Sequence, residues 1–207
     1  MPRQSMLVFI KKLGRPIFTT SELSSISGRS SSCVTQALNL LEKQGLIFKI
    51  YRGIWAQTQD FRISPYSVIP FLFFHQRVYV SFLSALHLYG IIEQIPQVIT
   101  LASTAHTKKL RTKIGTFSLH RIAPSFFDGF GWYKGEGNFL IAEQEKALVD
   151  CLYLSAYRKK QFGYFPELHF SKSFSFKKAK NWIKKIRNSK IATYVEKKID
   201  ETLHMYK

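Results

Sequence analysis

The residues best suited to chemistry in this sequence sit close together, at Glu143, Glu145, Lys146 and Asp150. Clustered carboxylates beside a lysine are what a metal-dependent nuclease or a kinase uses to hold a cation and steer a phosphoryl group. That chemistry also wants a second carboxylate group on a neighbouring strand, and the sequence offers none. On a helix, Lys146 and Asp150 are i, i+4 neighbours, so the expected role is an ion pair on a helix surface. Gly129-Phe130-Gly131 and Gly135-Glu136-Gly137 resemble a phosphate loop only in glycine content; no Gly-Lys-Ser/Thr follows, and hairpin turns account for them. The histidines at 75, 87, 106, 120, 169 and 204 show no ligand spacing, and Cys33 with Cys151 cannot build a zinc finger. No metal and no cofactor are expected, no catalytic residue is assigned, and the protein is expected to act by binding rather than as an enzyme.

A second kind of chemistry is carried by charge. The 207 residues hold 31 Lys and Arg against 13 Asp and Glu, a net +18. Such an excess favours polyanionic partners without choosing between nucleic acid, an acidic membrane surface and an acidic protein. It is spread along the chain: +5 over residues 1–60, +6 over 61–165 and +7 over 166–207. Hydrophobic residues make up 45%, enough for a real core. No apolar run is long enough to span a membrane, and Met6–Ile10 is too short for a secretory leader. Two cysteines imply no disulfide framework, so the expected setting is the cytoplasm.

Polyanion binding needs elements to present it, and the first sixty residues supply a pattern. Met6, Phe9, Ile10 and Leu13 recur at helical spacing, and Gly14 with Pro16 ends that helix. A short helix over 21–27 follows, with Thr19 or Thr20 as its cap, and then a glycine turn at Gly28. A third helix runs from Ser31 to about Gln44, with Ser30 as N-cap and Gly45 beyond its end. Leu46–Ile50 and Gly53–Gln57 read as a hairpin turned at Tyr51-Arg52-Gly53. Together these predict a winged helix-turn-helix over residues 1–60, whose second helix enters the DNA major groove. Its core face is Val34, Ala37, Leu38 and Leu41; its outer face is Ser31, Ser32, Thr35, Gln36 and Asn39, short hydrogen-bonding side chains able to read base edges. Arg29, Ser30, Lys49, Tyr51 and Arg52 complete the expected DNA-binding set, the cations meeting phosphates or a minor groove. A helix bundle with a polar solvent face is the plainer alternative.

Beyond Asp60–Pro65 the expectation is an α+β fold: a mixed α/β domain over 61–207, closed by a basic helical hairpin over 166–207. A helix is expected from Val80 to Tyr89, strands at Gln97–Leu101 and Thr116–Arg121, two more near 131–133 and 138–141, and a helix over 142–156. Between the first two strands lies a basic connector. Its Lys108, Lys109, Arg111 and Lys113, with Lys178, Lys184 and Lys185 on the basic helix, are secondary candidates for DNA phosphates or an acidic partner, although a solvated loop suffices for the connector. Phe176, Ala179, Trp182, Ile183 and Ile186 give that helix an apolar stripe that suits packing rather than a membrane.

Two blocks carry a family resemblance. Ser81-Phe-Leu-Ser-Ala-Leu-His-Leu-Tyr-Gly90, followed by Gln94-Ile-Pro96, and Ala142-Glu-Gln-Glu-Lys-Ala-Leu-Val-Asp150 resemble the AbiEi family of antitoxins and transcriptional regulators. These belong to abortive-infection (type IV) toxin–antitoxin systems of bacteria, a form of phage defence. The likeness covers about residues 5–160 and fades beyond. It implies an N-terminal domain that binds an inverted-repeat operator on double-stranded DNA, as a homodimer or as paired monomers, and represses its own operon. It also implies a second domain that counteracts a cognate nucleotidyltransferase-like toxin. Two alternatives stay open: a winged-helix regulator whose second domain senses a ligand or docks a partner other than a toxin, and an enzyme built on the 143–150 cluster.

Overall fold

The computed structural model describes residues 4–157, 162 and 165–205. The fold is mixed α+β, with eight α-helices and two sheets among the described residues. The chain divides into two compact units. The first takes the chain up to His75 with Arg111–Gly115 and Gly135–Asn138; the second takes Gln76–Leu110, Thr116–Lys134 and the chain from Phe139 on. The stretch 61–75, expected with the second domain, groups with the first unit.

In the first unit the order is α1 (Met6–Lys12), β1 (Ile17–Thr19), α2 (Thr20–Ser27), α3 (Ser31–Lys43), β2 (Ile47–Tyr51) and β3 (Ile54–Gln57). Helix starts follow local chemistry. Ser5 and Ser30 accept from backbone amides at the starts of α1 and α3. Thr19 and Glu22 form a reciprocal capping box on α2. Gly28 ends α2 at φ 66°, the left-handed region that favours glycine, and so turns the chain directly into α3. The strands form one antiparallel sheet in the order β1-β3-β2. Met6, Ile10, Phe18, Leu23, Val34, Leu38, Leu41, Ile47 and Trp55 make the core, and the Trp55 indole donates to Thr20 Oγ1 at 3.0 Å. Strand β1 was not among the sequence expectations; three residues carry too little periodicity to betray a strand. A short helix α4 (Ile69–Leu72) follows in the same unit.

The second unit centres on a six-stranded sheet and a buried helix. After β4 (Tyr79–Val80), helix α5 spans Phe82–Leu88, so the expected Val80–Tyr89 helix begins two residues late, its first residue lying in a strand. Then come β5 (Ile99–Ser103), β6 (Lys108–Thr112), β7 (Gly115–Arg121), β8 (Phe130–Trp132) and β9 (Leu140–Ala142). The basic connector is therefore not a loop but β6, an edge strand of the order β6-β7-β5-β4-β9-β8. Lysine-rich edges are a recognised guard against edge-to-edge pairing, which is why a strand reads as a loop here. Strands β5 and β7 run parallel, as do β4 and β9, whereas β4–β5 and β8–β9 are antiparallel.

Helix α6 (Gln144–Ala156) is buried from Glu145 to Ser155 and packs against α5, β9, α7 (Phe176–Ile183) and α8 (Ser189–Met205). The helical hairpin expected over the C-terminal residues is α7 and α8, its Ala179, Trp182, Ile183, Val195 and Ile199 buried. Trp182 lies directly on the backbone of Gly129, where a Cβ would come within 2.3 Å of the indole.

Candidate nucleic-acid interface

Helix α3 shows water the face that the sequence reading assigned to DNA. Ser31, Ser32, Gln36 and Asn39 are exposed, while Val34, Leu38 and Leu41 are buried. The arrangement follows from the 3.6-residue period: Val34, Leu38 and Leu41, four and three residues apart, face the core, and Ser31, Ser32, Gln36 and Asn39 fall on the other side, with Leu40 also left exposed. At the other end of the interface, Tyr51 and Arg52 are exposed on the β2–β3 turn. Ser31, Tyr51 and Arg52 line one groove of about 1040 Å³, together with Thr20, Ser21, Arg15 and Arg62. The start of α3 and the hairpin turn are thus brought together, as a surface reading one ligand requires.

The other four expected contacts have work inside the protein. Ser30 caps α3 by accepting from Cys33 N. The Thr35 hydroxyl donates to Ser31 O at 2.7 Å. Arg29 donates to Gln4 O at 2.6 Å and lies over Phe9. Lys49 rests its ammonium 5.1 Å from the Trp55 ring centre. Two groove residues were not anticipated from sequence, Arg15 and Arg62. Each is ion-paired, Arg15 with Glu22 and Arg62 with Asp60. Burial pushes the Glu22 carboxyl up, but the Thr19 amide and Arg15 guanidinium outweigh it and hold the group below its usual range.

The secondary cations divide in the same way. Lys113 pairs with Glu42 at 3.1 Å, its backbone amide donating to Ile50 O. Lys178 bridges Glu143 at 3.2 Å and Glu145 at 3.5 Å, and Lys185 holds Asp128 at 2.6 Å beneath the Trp182 ring. Lys108, Lys109, Arg111 and Lys184 are exposed.

The 143–150 cluster departs from expectation. Lys146 and Asp150 do pair at i, i+4, but both side chains are 0% exposed, so the expected surface pair is an interior one. Asp150 also accepts from Ser81 Oγ at 2.7 Å and Tyr79 Oη at 3.1 Å, and Lys146 donates to Tyr79 Oη at 3.2 Å. The ammonium lies 3.8 Å from the centre of the Phe126 ring and 5.6 Å from that of Trp182. Burial pushes Lys146 down and Asp150 up, and their mutual attraction opposes both shifts. Glu145 is buried beside them, accepting from Ser175 N at 3.0 Å at the start of α7. A group sealed at 0% exposure cannot meet a substrate; what this network does is pin α6 to the strand that carries Tyr79. The sequence signal was the apolar flanking, with Ala147, Leu148, Val149, Cys151 and Leu152 filling every side of the turn around the pair. Among the described residues no cluster of His, Cys, Asp and Glu could hold a metal ion, and no helix is long and apolar enough to cross a membrane. Comparison with known proteins finds no family model that matches this chain and no curated protein with significant similarity to it.

Proposed function

We propose that this protein is a DNA-binding antitoxin that represses its own operon and counteracts a cognate nucleotidyltransferase-like toxin in the cytoplasm. The observation that carries DNA binding is the exposed Ser31/Ser32/Gln36/Asn39 face of α3, whose first residue, Ser31, lines one groove with Tyr51 and Arg52 of the β2–β3 turn. The element order of the first unit supports a winged helix-turn-helix reading, in which α2 and α3 are the helix pair and the β2–β3 turn is the wing. In this reading α3 enters the major groove, Gln36 and Asn39 address adenine edges, and Arg52 meets the backbone. Two copies, as a dimer or as paired monomers, cover an inverted repeat. The antitoxin role rests on the resemblance of the Ser81–Gly90 and Ala142–Asp150 blocks to the AbiEi family. Those blocks meet in the folded chain, Ser81 donating to Asp150, so the residues that carry the likeness form one structural unit. Binding, without turnover, is the whole mechanism.

The test is a fluorescence-anisotropy titration of the full chain on its own upstream DNA and on random duplex, across a salt series. The expected result is a preference of about 10³-fold or more for upstream DNA; equal affinity removes the repressor reading. Co-expression with the product of the adjacent reading frame tests the other half, because loss of growth that this protein fails to relieve removes the antitoxin reading.

A further inference from the structure

The second unit carries a cavity to which the proposed function assigns no ligand. Its floor is one face of the six-stranded sheet. Strands β5 and β7 pair in parallel with Thr100 opposite Ser118 and Ala102 opposite His120. Side chains alternate across a strand, so Thr100, Ser118 and His120 share a face, while Leu101, Phe117 and Leu119 are buried on the other. The polar row lines a cavity of about 610 Å³, within the range that accommodates small ligands.

Three features define what would fit. His120 is only 4% exposed and is held in place, its Nε2 3.0 Å from Ser118 Oγ and its ring edge-on to Phe162. Lys109, on the neighbouring edge strand, adds a cation with no ion-pair partner among the described residues, and no Asp or Glu is among the described lining residues. The rest of the described lining is mainly apolar, Leu83 and Ile92 among it, with Gln94 and Gln97 as its polar members, and Ile95 is left 69% exposed to water. The Thr100 hydroxyl is spent on Ser81 O at 2.8 Å, which leaves the Ser118 hydroxyl, the His120 imidazole and the Lys109 ammonium. With no carboxylate among the described lining residues these select negative charge, and the apolar part of the wall selects a body to cover. We infer that this cavity binds a small organic anion: one carboxylate or phosphate group on a compact apolar body.

The experiment is ¹H–¹⁵N chemical-shift mapping on the full chain with three probes of matched body, phenyl phosphate, benzoate and benzyl alcohol. Shifts are expected at the amides of 94, 95, 97–100, 109 and 118–120, with the anions at least about tenfold tighter than the alcohol, the scale of one charge-assisted contact. The phosphate and carboxylate arms distinguish the two anion types. Lys109→Glu, at an exposed position, is expected to weaken both anions about tenfold, whereas Lys184→Glu makes the same charge reversal just beyond the end of α7 and leaves them unchanged. Leu83→Trp fills the space and is expected to abolish the shifts. Equal loss in the two lysine variants, equal binding of benzyl alcohol, shifts confined to residues 31–52, or no shifts at millimolar probe would each overturn the inference.

Discussion

Helices α3 and α6 are both thirteen residues long, and both carry polar side chains that helical spacing places on an outward face. In α3 that face is wet and lies beside an exposed arginine turn. In α6 the polar side chains are interior, because α5, α7, α8 and β9 surround the helix. Serine, glutamine and asparagine on a helix packed from one side are a surface available to a ligand. Lysine and aspartate on a helix packed from all sides are a structural network, whatever their resemblance to a catalytic cluster.

The largest expected effect tests the interior half of that contrast. Asp150→Ala leaves the Lys146 ammonium buried without its counter-charge and should cost about 3–5 kcal/mol in urea denaturation. The double replacement Lys146→Met with Asp150→Leu should recover most of the loss, since two apolar groups need no desolvation. A double variant as unstable as the single one would show that the network contributes more than charge cancellation. It should also bind DNA as the parent does, which separates the network from the interface.

The exposed half predicts the opposite pattern, unchanged stability and altered binding. Gln36→Ala should lose about 1–3 kcal/mol of discrimination between the upstream site and its variants. Arg52→Ala should weaken all duplexes alike and lower the salt slope by about 1. Lys49→Ala sharpens the comparison: with its ammonium over Trp55, it should move stability more than salt slope.

Smaller effects probe how the interface is held. Thr19→Ala removes both the α2 cap and one of the donors to the Glu22 carboxylate, and should cost about 0.5–2 kcal/mol by thermal denaturation. Glu22 has its folded-state pKa lowered, so its contribution is complete above the ordinary carboxylate range and is lost as pH falls through the folded value. The stability difference between the parent and Glu22→Gln should therefore shrink on acidification from neutral pH. A difference constant with pH would mean that hydrogen-bond geometry, not charge, holds that corner.

Much of the first unit was legible because its signals are local. The Ser30 cap, the Gly28 and Gly45 turns and the leucine spacing of α3 each act within a few residues. The outward residues Ser31, Ser32, Gln36 and Asn39 follow directly from that spacing. What sequence patterning did not separate were exposed residues free to bind from those already engaged. Ser30, Thr35 and Arg29 are spoken for by partners as close as three residues and as distant as twenty-five. Strand β6 was hidden by its lysines, and β4 by its two-residue length.

The sequence by itself determined the helix boundaries of the first unit, the polar face of α3 and the basic turn at Arg52. These depend on backbone propensity and on periods of two or 3.6 residues, which any short stretch carries within itself. Only the tertiary structure decided that Lys146 and Asp150 lie in the interior, that Trp182 needs a bare Gly129, and that Thr100, Ser118 and His120 share a cavity floor. Each of those facts depends on a neighbour far along the chain: Tyr79 and Ser81 for the ion pair, residue 129 for the indole, and the register of β5 against β7 for the cavity. Whether a charge is solvated or buried is set by how many elements close around its helix, a property of the assembled unit and not of the helix.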